Sequence, residues 1–138
     1  MENDYIIGDT DIKRLIVKAL EARERAYARY SQFKVGAALL AGRENYSDEA
    51  ECVGGESDNN DKNANGYRVF TGCNIENSSY GATICAERAA VCNAVSSGYK
   101  DFKAIAIVGG LNSTGINGIT YPCGICRQVI AEFAEQGC

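Results

Sequence analysis

The sequence predicts an α/β domain in which a mixed β-sheet is flanked by helices. Three observations predict this class: a helix-spaced apolar pattern near the start, two short apolar runs of strand length, and a helical pattern on either side of the second run. The predicted order is helix, strand, strand, helix, strand, helix, which is typical of layered α/β domains. At 138 residues, the chain is expected to form one domain spanning 1–138.

The first half of the pattern predicts one helix and two strands. Thr10 or Asp11 can cap the helix, whose apolar residues recur every three or four positions. These residues are Ile12, Leu15, Ile16, Ala19, Leu20, Ala26, Tyr27 and Tyr30. Strands are predicted over 33–40 and 68–74, and we expect them to pair as a hairpin.

An acidic insertion over 43–66 separates these two strands. It holds seven acidic and two basic residues, whereas the rest of the chain has eleven acidic and twelve basic residues. Its composition is rich in Asn, Asp, Ser and Gly, and it shows no periodicity. A surface loop is favoured over a partner-binding role.

The second half predicts a helix over 83–97, a strand over 103–109 and a final helix entered at Pro122. Alanines allow the first of these helices to approach the sheet closely. The strand is an almost continuous apolar run, which is suited to burial on both faces.

Composition excludes several classes of function. There is no histidine, so no scheme that needs imidazole is available. The net charge of −4 gives no electrostatic footprint for a long nucleic acid. No apolar run approaches the ~18 residues that would span a bilayer, and the polar start does not resemble a signal peptide. With an odd count of seven cysteines, we expect reduced thiols and a cytoplasmic protein.

Three of these cysteines have the spacing of a catalytic zinc site. Cys123 and Cys126 form a Cys-x-x-Cys motif, and Cys85 can supply a third thiolate, which leaves the fourth position of a tetrahedral Zn²⁺ open. Glu87 lies two residues beyond Cys85, where a carboxylate could move protons beside the metal. The pattern agrees with the three-cysteine signature of zinc nucleobase deaminases.

Both motifs fall at predicted helix starts, where unpaired N–H groups favour thiolates. Three thiolates on one Zn²⁺ carry a formal charge of about −1, which Arg88 and Arg127 could offset. Two other interpretations remain open: a redox-active Cys-x-x-Cys pair, or a structural zinc knot. Such a knot needs a fourth ligand, which Cys73, Cys92 or Cys138 could supply. If they bind no metal, Cys73 and Cys92 are expected to be small buried hydrophobic residues.

Four stretches resemble, in the same order, the small homotetrameric cytidine deaminases. They are YARYSQFKVGAAL at 27–39, TGCNIENSSYG at 71–81, ICAER at 84–88 and PCGICRQ at 122–128. The resemblance implies hydrolytic deamination of cytidine and 2′-deoxycytidine in pyrimidine salvage, with one Zn²⁺ per chain. It implies Cys85, Cys123 and Cys126 as zinc ligands and Glu87 as the catalytic acid and base.

The resemblance also implies how the substrate is held. Asn74 and Glu76 match residues that bind the ribose 3′-hydroxyl, and Phe33 matches an aromatic residue packed near the pyrimidine. The backbone of Ala86 matches a contact to the base carbonyl, and Tyr80 matches a residue that reaches a neighbouring subunit's site. Arg88 matches an arginine that bonds to thiolate ligands.

Members of this family continue with two further strands and a tail after the last helix, so we expect a sheet of about three strands here. The nearest enzymatic alternative is deamination of a cytosine-containing antibiotic such as blasticidin S. An alternative from another class is a catalytically inactive zinc-binding interaction module. Action on a polynucleotide is disfavoured, because the sequence offers no basic groove or stacking platform.

Overall fold

The computed structural model describes residues 6–43 and 66–134. Its elements are α1 (Asp9–Glu24), β1 (Phe33–Gly42), β2 (Arg68–Cys73), α2 (Ala86–Ser96), β3 (Asp101–Leu111) and α3 (Gly124–Phe133), with a 3₁₀ turn at Tyr80–Ala82. The predicted order is confirmed. Apart from its first and last positions, the insertion predicted over 43–66 lies outside the described residues. Among the helices of these two ranges, none has the length and apolar character needed to cross a membrane.

β1 is the central strand of a three-stranded sheet with the order β2-β1-β3. Leu39 of β1 pairs with Phe70 on one side and with Ile105 on the other, and both pairings are antiparallel. The expected hairpin and strand number are confirmed, but the prediction of a mixed sheet is wrong for the described strands. β2 and β3 do run parallel to each other, yet β1 lies between them, so they form no parallel pair.

The two faces of the sheet are covered by different helices, α1 on one and α2 on the other. Close packing of α2 depends on Gly72 of β2, because a Cβ at that position would overlap the α2 backbone at Ala86 and Ala90. Both alanines are fully buried. The first turn of α2 is therefore held tightly against the sheet, and this fixes the position of Cys85 immediately before it.

The start and the outer face of α1 differ from the prediction. The N-cap is Gly8 rather than Thr10 or Asp11, and the Asp11 carboxylate accepts the Gly8 N–H at 3.2 Å. Of the predicted apolar positions, Ile12 and Ile16 remain 47% and 42% exposed. The apolar pattern is therefore wider than the stripe that α1 buries against the sheet.

The end of α1 also differs, because the helix stops at Glu24 and not near Tyr30. Tyr27 instead forms a short parallel bridge with Ile75. In this bridge the Tyr27 N–H donates to the Asn74 carbonyl at 3.0 Å. Backbone groups that a longer helix would have paired internally are thus hydrogen-bonded to the segment around Ile75 instead.

Candidate functional site

Two helix starts bring the predicted thiols together. Cys85 and Cys123 are the N-cap residues of α2 and α3, and both have extended backbone conformations. Cys126 follows in the first turn of α3. The N–H groups at a helix start have no intrahelical acceptor and favour negative charge. The prediction that both cysteine motifs fall at helix starts is confirmed.

The sulfur atoms of Cys85, Cys123 and Cys126 all lie within 4.8 Å of one another. The Cys85 and Cys123 sulfurs are 3.9 Å apart, close to the ~3.8 Å separation that a tetrahedral zinc ion with 2.3 Å bonds imposes. Cys73 and Cys92 are not members of this cluster, and Cys138 lies outside the described residues. The donor set therefore fits one zinc ion with three protein ligands.

Hydrogen bonds around the sulfurs favour their charged form unequally. The Cys126 N–H donates to the Cys123 sulfur at 3.4 Å, and this bond lowers the pKa of the Cys123 thiol. Burial, followed by the neighbouring Cys123 and Glu87, raises the pKa of Cys126. Arg88 donates Nη2 to the Cys85 sulfur at 3.5 Å, a bond that raises the pKa of the guanidinium. The protein surroundings alone therefore favour the charged form at Cys123 and oppose it at Cys126.

Beside the sulfurs lies a cleft of about 250 Å³. Glu87, in the first turn of α2 and only 4% exposed, contributes to its wall. Six of the residues singled out from the sequence line this cleft: Phe33, Asn74, Cys85, Ala86, Glu87 and Cys123. One cavity thus joins the predicted proton carrier, two predicted zinc ligands and three predicted substrate contacts.

The side chain of Asn74 is hydrogen-bonded to the backbone at the start of β1. Its amide donates to the Phe33 carbonyl at 2.9 Å and accepts the Val35 N–H at 2.8 Å. Glu76 does not line the cleft. Its carboxylate is directed to the backbone of Tyr30 and Ser31. Asn74 and Glu76 therefore hold the backbone on either side of the Phe33 side chain.

Tyr80 and Arg127 lie away from the cleft wall. The Tyr80 side chain is 69% exposed, and its ring centroid lies 6.2 Å from that of Tyr30. Arg127 donates Nε to the Pro122 carbonyl at 3.2 Å, so its bond stabilises the loop that enters α3. The thiolate contact is made by Arg88.

Four further residues line the cleft and were not predicted: Val35, Thr83, Thr120 and Tyr121. The alternation of a strand places Val35 on the same side as Phe33, and this signal could have identified it. The Thr83 hydroxyl oxygen is buried and has no hydrogen-bond partner within the described ranges. It is therefore available to a ligand in the cleft.

The family model for the cytidine and deoxycytidylate deaminase zinc-binding region matches residues 62–137. A cytidine deaminase from Sporosarcina psychrophila is 44% identical over 125 residues, which cover 91% of this chain and 71% of that protein. The crystal structure of cytidine deaminase from Mycobacterium tuberculosis superposes with a TM-score of 0.65 at 38% identity, covering 91% of this chain and 80% of that one.

A blasticidin-S deaminase from Bacillus cereus is 40% identical over 55 residues, which are 38% of this chain and 39% of that protein. The match to cytidine deaminases is much longer and includes both cysteine motifs. With its three-thiol cluster beside a buried glutamate, the chain belongs to the cytidine deaminase family.

Proposed function

We propose that this chain is a zinc-dependent hydrolase that converts cytidine and 2′-deoxycytidine to uridine and 2′-deoxyuridine and releases ammonia. The observation that carries the proposal is the cleft shared by Glu87, Cys85 and Cys123. A purely structural zinc knot has no need of a buried carboxylate beside an open cavity. The short match to a blasticidin-S deaminase does not favour the antibiotic as the substrate.

Cys85, Cys123 and Cys126 would hold one zinc ion per chain. When bound, Zn²⁺ acts as a Lewis acid that brings the pKa of water towards about 7. The guanidinium of Arg88 offsets part of the negative charge of the three sulfurs through its bond to Cys85. This bond limits the electron density that the thiolates donate to the metal.

Glu87 is the proton carrier in this proposal. Its carboxylate takes a proton from the attacking water and delivers it to the ring nitrogen N3 of the base. The water oxygen bonds to C4 of the base, and Glu87 then passes the remaining hydroxyl proton to the amino group, so that the bond from C4 to the amino nitrogen breaks, the C4 carbonyl forms and ammonia leaves. Its position in the first turn of α2, where it is almost fully buried, supports this role.

The substrate is oriented by residues that line the cleft or adjoin it. Phe33 packs against the pyrimidine, and the unpaired N–H of Ala86 at the start of α2 donates to the base carbonyl. Asn74 and Glu76 bind the ribose 3′-hydroxyl. The Glu76 carboxylate accepts from three donors, which leaves about one of its four lone pairs for a substrate hydroxyl.

We further propose that the enzyme is a homotetramer, in which Tyr80 reaches a neighbouring subunit's site. Four large apolar side chains within the described ranges are 62–79% exposed, which supports association. They are Tyr80, Ile119, Tyr121 and Ile125. The catalytic unit comprises 1–138 as one domain that includes the acidic insertion at 43–66. It would act in pyrimidine salvage in the cytoplasm, where thiols remain reduced.

The test is conversion of cytidine by the purified, zinc-loaded chain. Loss of cytidine absorbance should be accompanied by one ammonia per uridine formed, and cytidine should react faster than blasticidin S. Treatment with a chelator should abolish turnover, and added Zn²⁺ should restore it. Absence of turnover in protein that carries one zinc per chain would overturn the proposal.

A further inference from the structure

The chain between α1 and β1 forms a turn that carries Phe33 to the cleft. Gln32, immediately before Phe33, has a positive φ of 59°, a conformation that non-glycine residues adopt rarely. Such a conformation persists where surrounding contacts hold it in place. Hydrogen bonds to another segment should therefore hold the residues just before Gln32 in place.

The segment after β2 supplies those bonds. The Glu76 N–H donates to the Tyr27 carbonyl at 2.8 Å, so the two segments are already paired through their backbones. The Glu76 side chain then accepts the Tyr30 N–H at 2.7 Å and the Ser31 N–H at 3.2 Å. Glu76 is only 7% exposed. Its carboxylate is consequently built into the turn.

The Ser31 hydroxyl links this carboxylate to the aromatic residue at the cleft. It donates to Glu76 Oε1 and accepts the Phe33 N–H at 3.0 Å. One small side chain therefore bonds at once to a residue proposed to bind ribose and to the backbone of a residue proposed to pack on the base. Ser31 itself does not line the cleft.

We propose that Ser31 is a positioning residue for the substrate, which fixes the Glu76 carboxylate and the backbone of Phe33 in one geometry. This inference rests on the function proposed above, because it assumes that Glu76 and Phe33 contact a nucleoside. Ser31 makes no contact with the substrate and acts through these two neighbours. Its loss should weaken nucleoside binding while the zinc ion and Glu87 are retained.

The charge of Glu76 offers a readout that a merely structural serine would not change. The Ser31 hydroxyl, helped by the N–H groups of Tyr30 and Ser31, lowers the pKa of Glu76 against the opposing effect of burial. The titratable side chains of the turn before Phe33 are Arg25, Tyr27, Arg29 and Tyr30. Arg29 is bonded to the Tyr27 hydroxyl at 3.4 Å, and the Tyr80 ring packs on that of Tyr30. Phenols and guanidinium groups titrate far above the range of a carboxylate.

The test compares Ser31→Ala with Ser31→Thr, which keeps a hydroxyl, and with Ser96→Ala, the same change at an exposed position of α2. For Ser31→Ala, KM for cytidine should rise about five- to tenfold at neutral pH, and kcat should stay within about twofold, because one bond to a charged group is lost. Without the Ser31 hydroxyl the pKa of Glu76 rises, so its carboxylate is protonated at a higher pH. As the pH is lowered, KM should therefore begin to increase at a higher pH in Ser31→Ala than in the parent. Ser96→Ala should match the parent, and Ser31→Thr should restore most of the affinity.

A second measurement does not depend on activity. The pKa of Glu76 can be followed by NMR in protein with carbon-13-labelled glutamate, with Glu76→Gln used to assign its signal. This pKa should be higher in Ser31→Ala than in the parent and in Ser31→Thr. An unchanged Glu76 pKa, or an unchanged KM in a variant whose Glu76 pKa rises, would overturn the proposal. An inactive zinc-loaded parent would refute the function alone, and the NMR comparison would still test the Ser31 bond.

Discussion

The two sides of the cleft are built in different ways. On the metal side, Cys123 and Cys126 lie on one helical turn, and Cys85 begins the neighbouring helix. On the substrate side, segments far apart in sequence are joined by bonds such as that between Val35 and Asn74, which are 39 positions apart. Side chains within two short motifs, themselves 38 positions apart, therefore supply the groups proposed for the metal chemistry, whereas side-chain bonds to the backbone of a distant segment hold the wall against which the substrate is proposed to lie.

If this contrast holds, substitution of a zinc-ligating cysteine should have the largest effect on turnover. Cys123→Ser removes the thiolate that lies 3.9 Å from the Cys85 sulfur. Zinc content should fall well below one ion per chain, and turnover should fall at least about a thousandfold, because water activation is lost. Metal analysis and cytidine turnover measure the two effects.

The matched control is Cys92→Ser, because Cys92 is exposed on α2 and is not part of the thiol cluster. It should keep full zinc content and turnover. Equal zinc loss in the two variants would contradict the assignment of the ligands.

A substitution on the substrate side should instead affect stability and binding together. Asn74→Ala leaves the Phe33 carbonyl and the Val35 N–H without their partner. Two partly buried backbone groups without a partner should lower the free energy of unfolding by about 2–4 kcal/mol. KM should also rise, since Phe33 loses a fixed position and the proposed contact of Asn74 with the ribose is lost. Urea unfolding of the zinc-loaded protein measures the first effect and steady-state kinetics the second.

Asn93→Ala provides the comparison for this prediction. Asn93 is exposed and makes one bond of this kind, from its amide to the Thr71 carbonyl at 2.8 Å. Its removal should cost about 0.5–1.5 kcal/mol and leave KM unchanged. A cost equal to that of Asn74→Ala would show that the substrate side is not held as we describe.

The contrast also explains which features could be predicted from the sequence. Cys85, Glu87, Cys123 and Cys126 were recognisable from the spacing of residues within two short motifs, Cys-x-Glu and Cys-x-x-Cys. The strand positions along the chain were predictable from apolar runs, because β1 is buried over most of its length; β3, expected to be buried on both faces, is mostly half-buried. These signals are local, so they do not depend on how distant segments meet.

Other features depend on tertiary contacts that leave no local signal. The early end of α1 results from the bridge between Tyr27 and Ile75, since periodicity alone continues to Tyr30. The antiparallel sheet results from the position of β1 between two strands that are parallel to each other. The bonds of Glu76 to the turn before Phe33 could not be inferred, because its residue type is equally suited to binding a substrate hydroxyl.

Glu87 is proposed to move protons beside a zinc ion that it does not hold. The most direct measurement is kcat for cytidine in the zinc-loaded Glu87→Gln variant, with zinc content determined on the same sample. The control is Glu21→Gln, the same change at a 53%-exposed side chain of α1. We predict a loss of about 10²–10⁴-fold in kcat with one zinc per chain retained, and no change in the control. Parent-like turnover in Glu87→Gln would rule out Glu87 as the proton carrier.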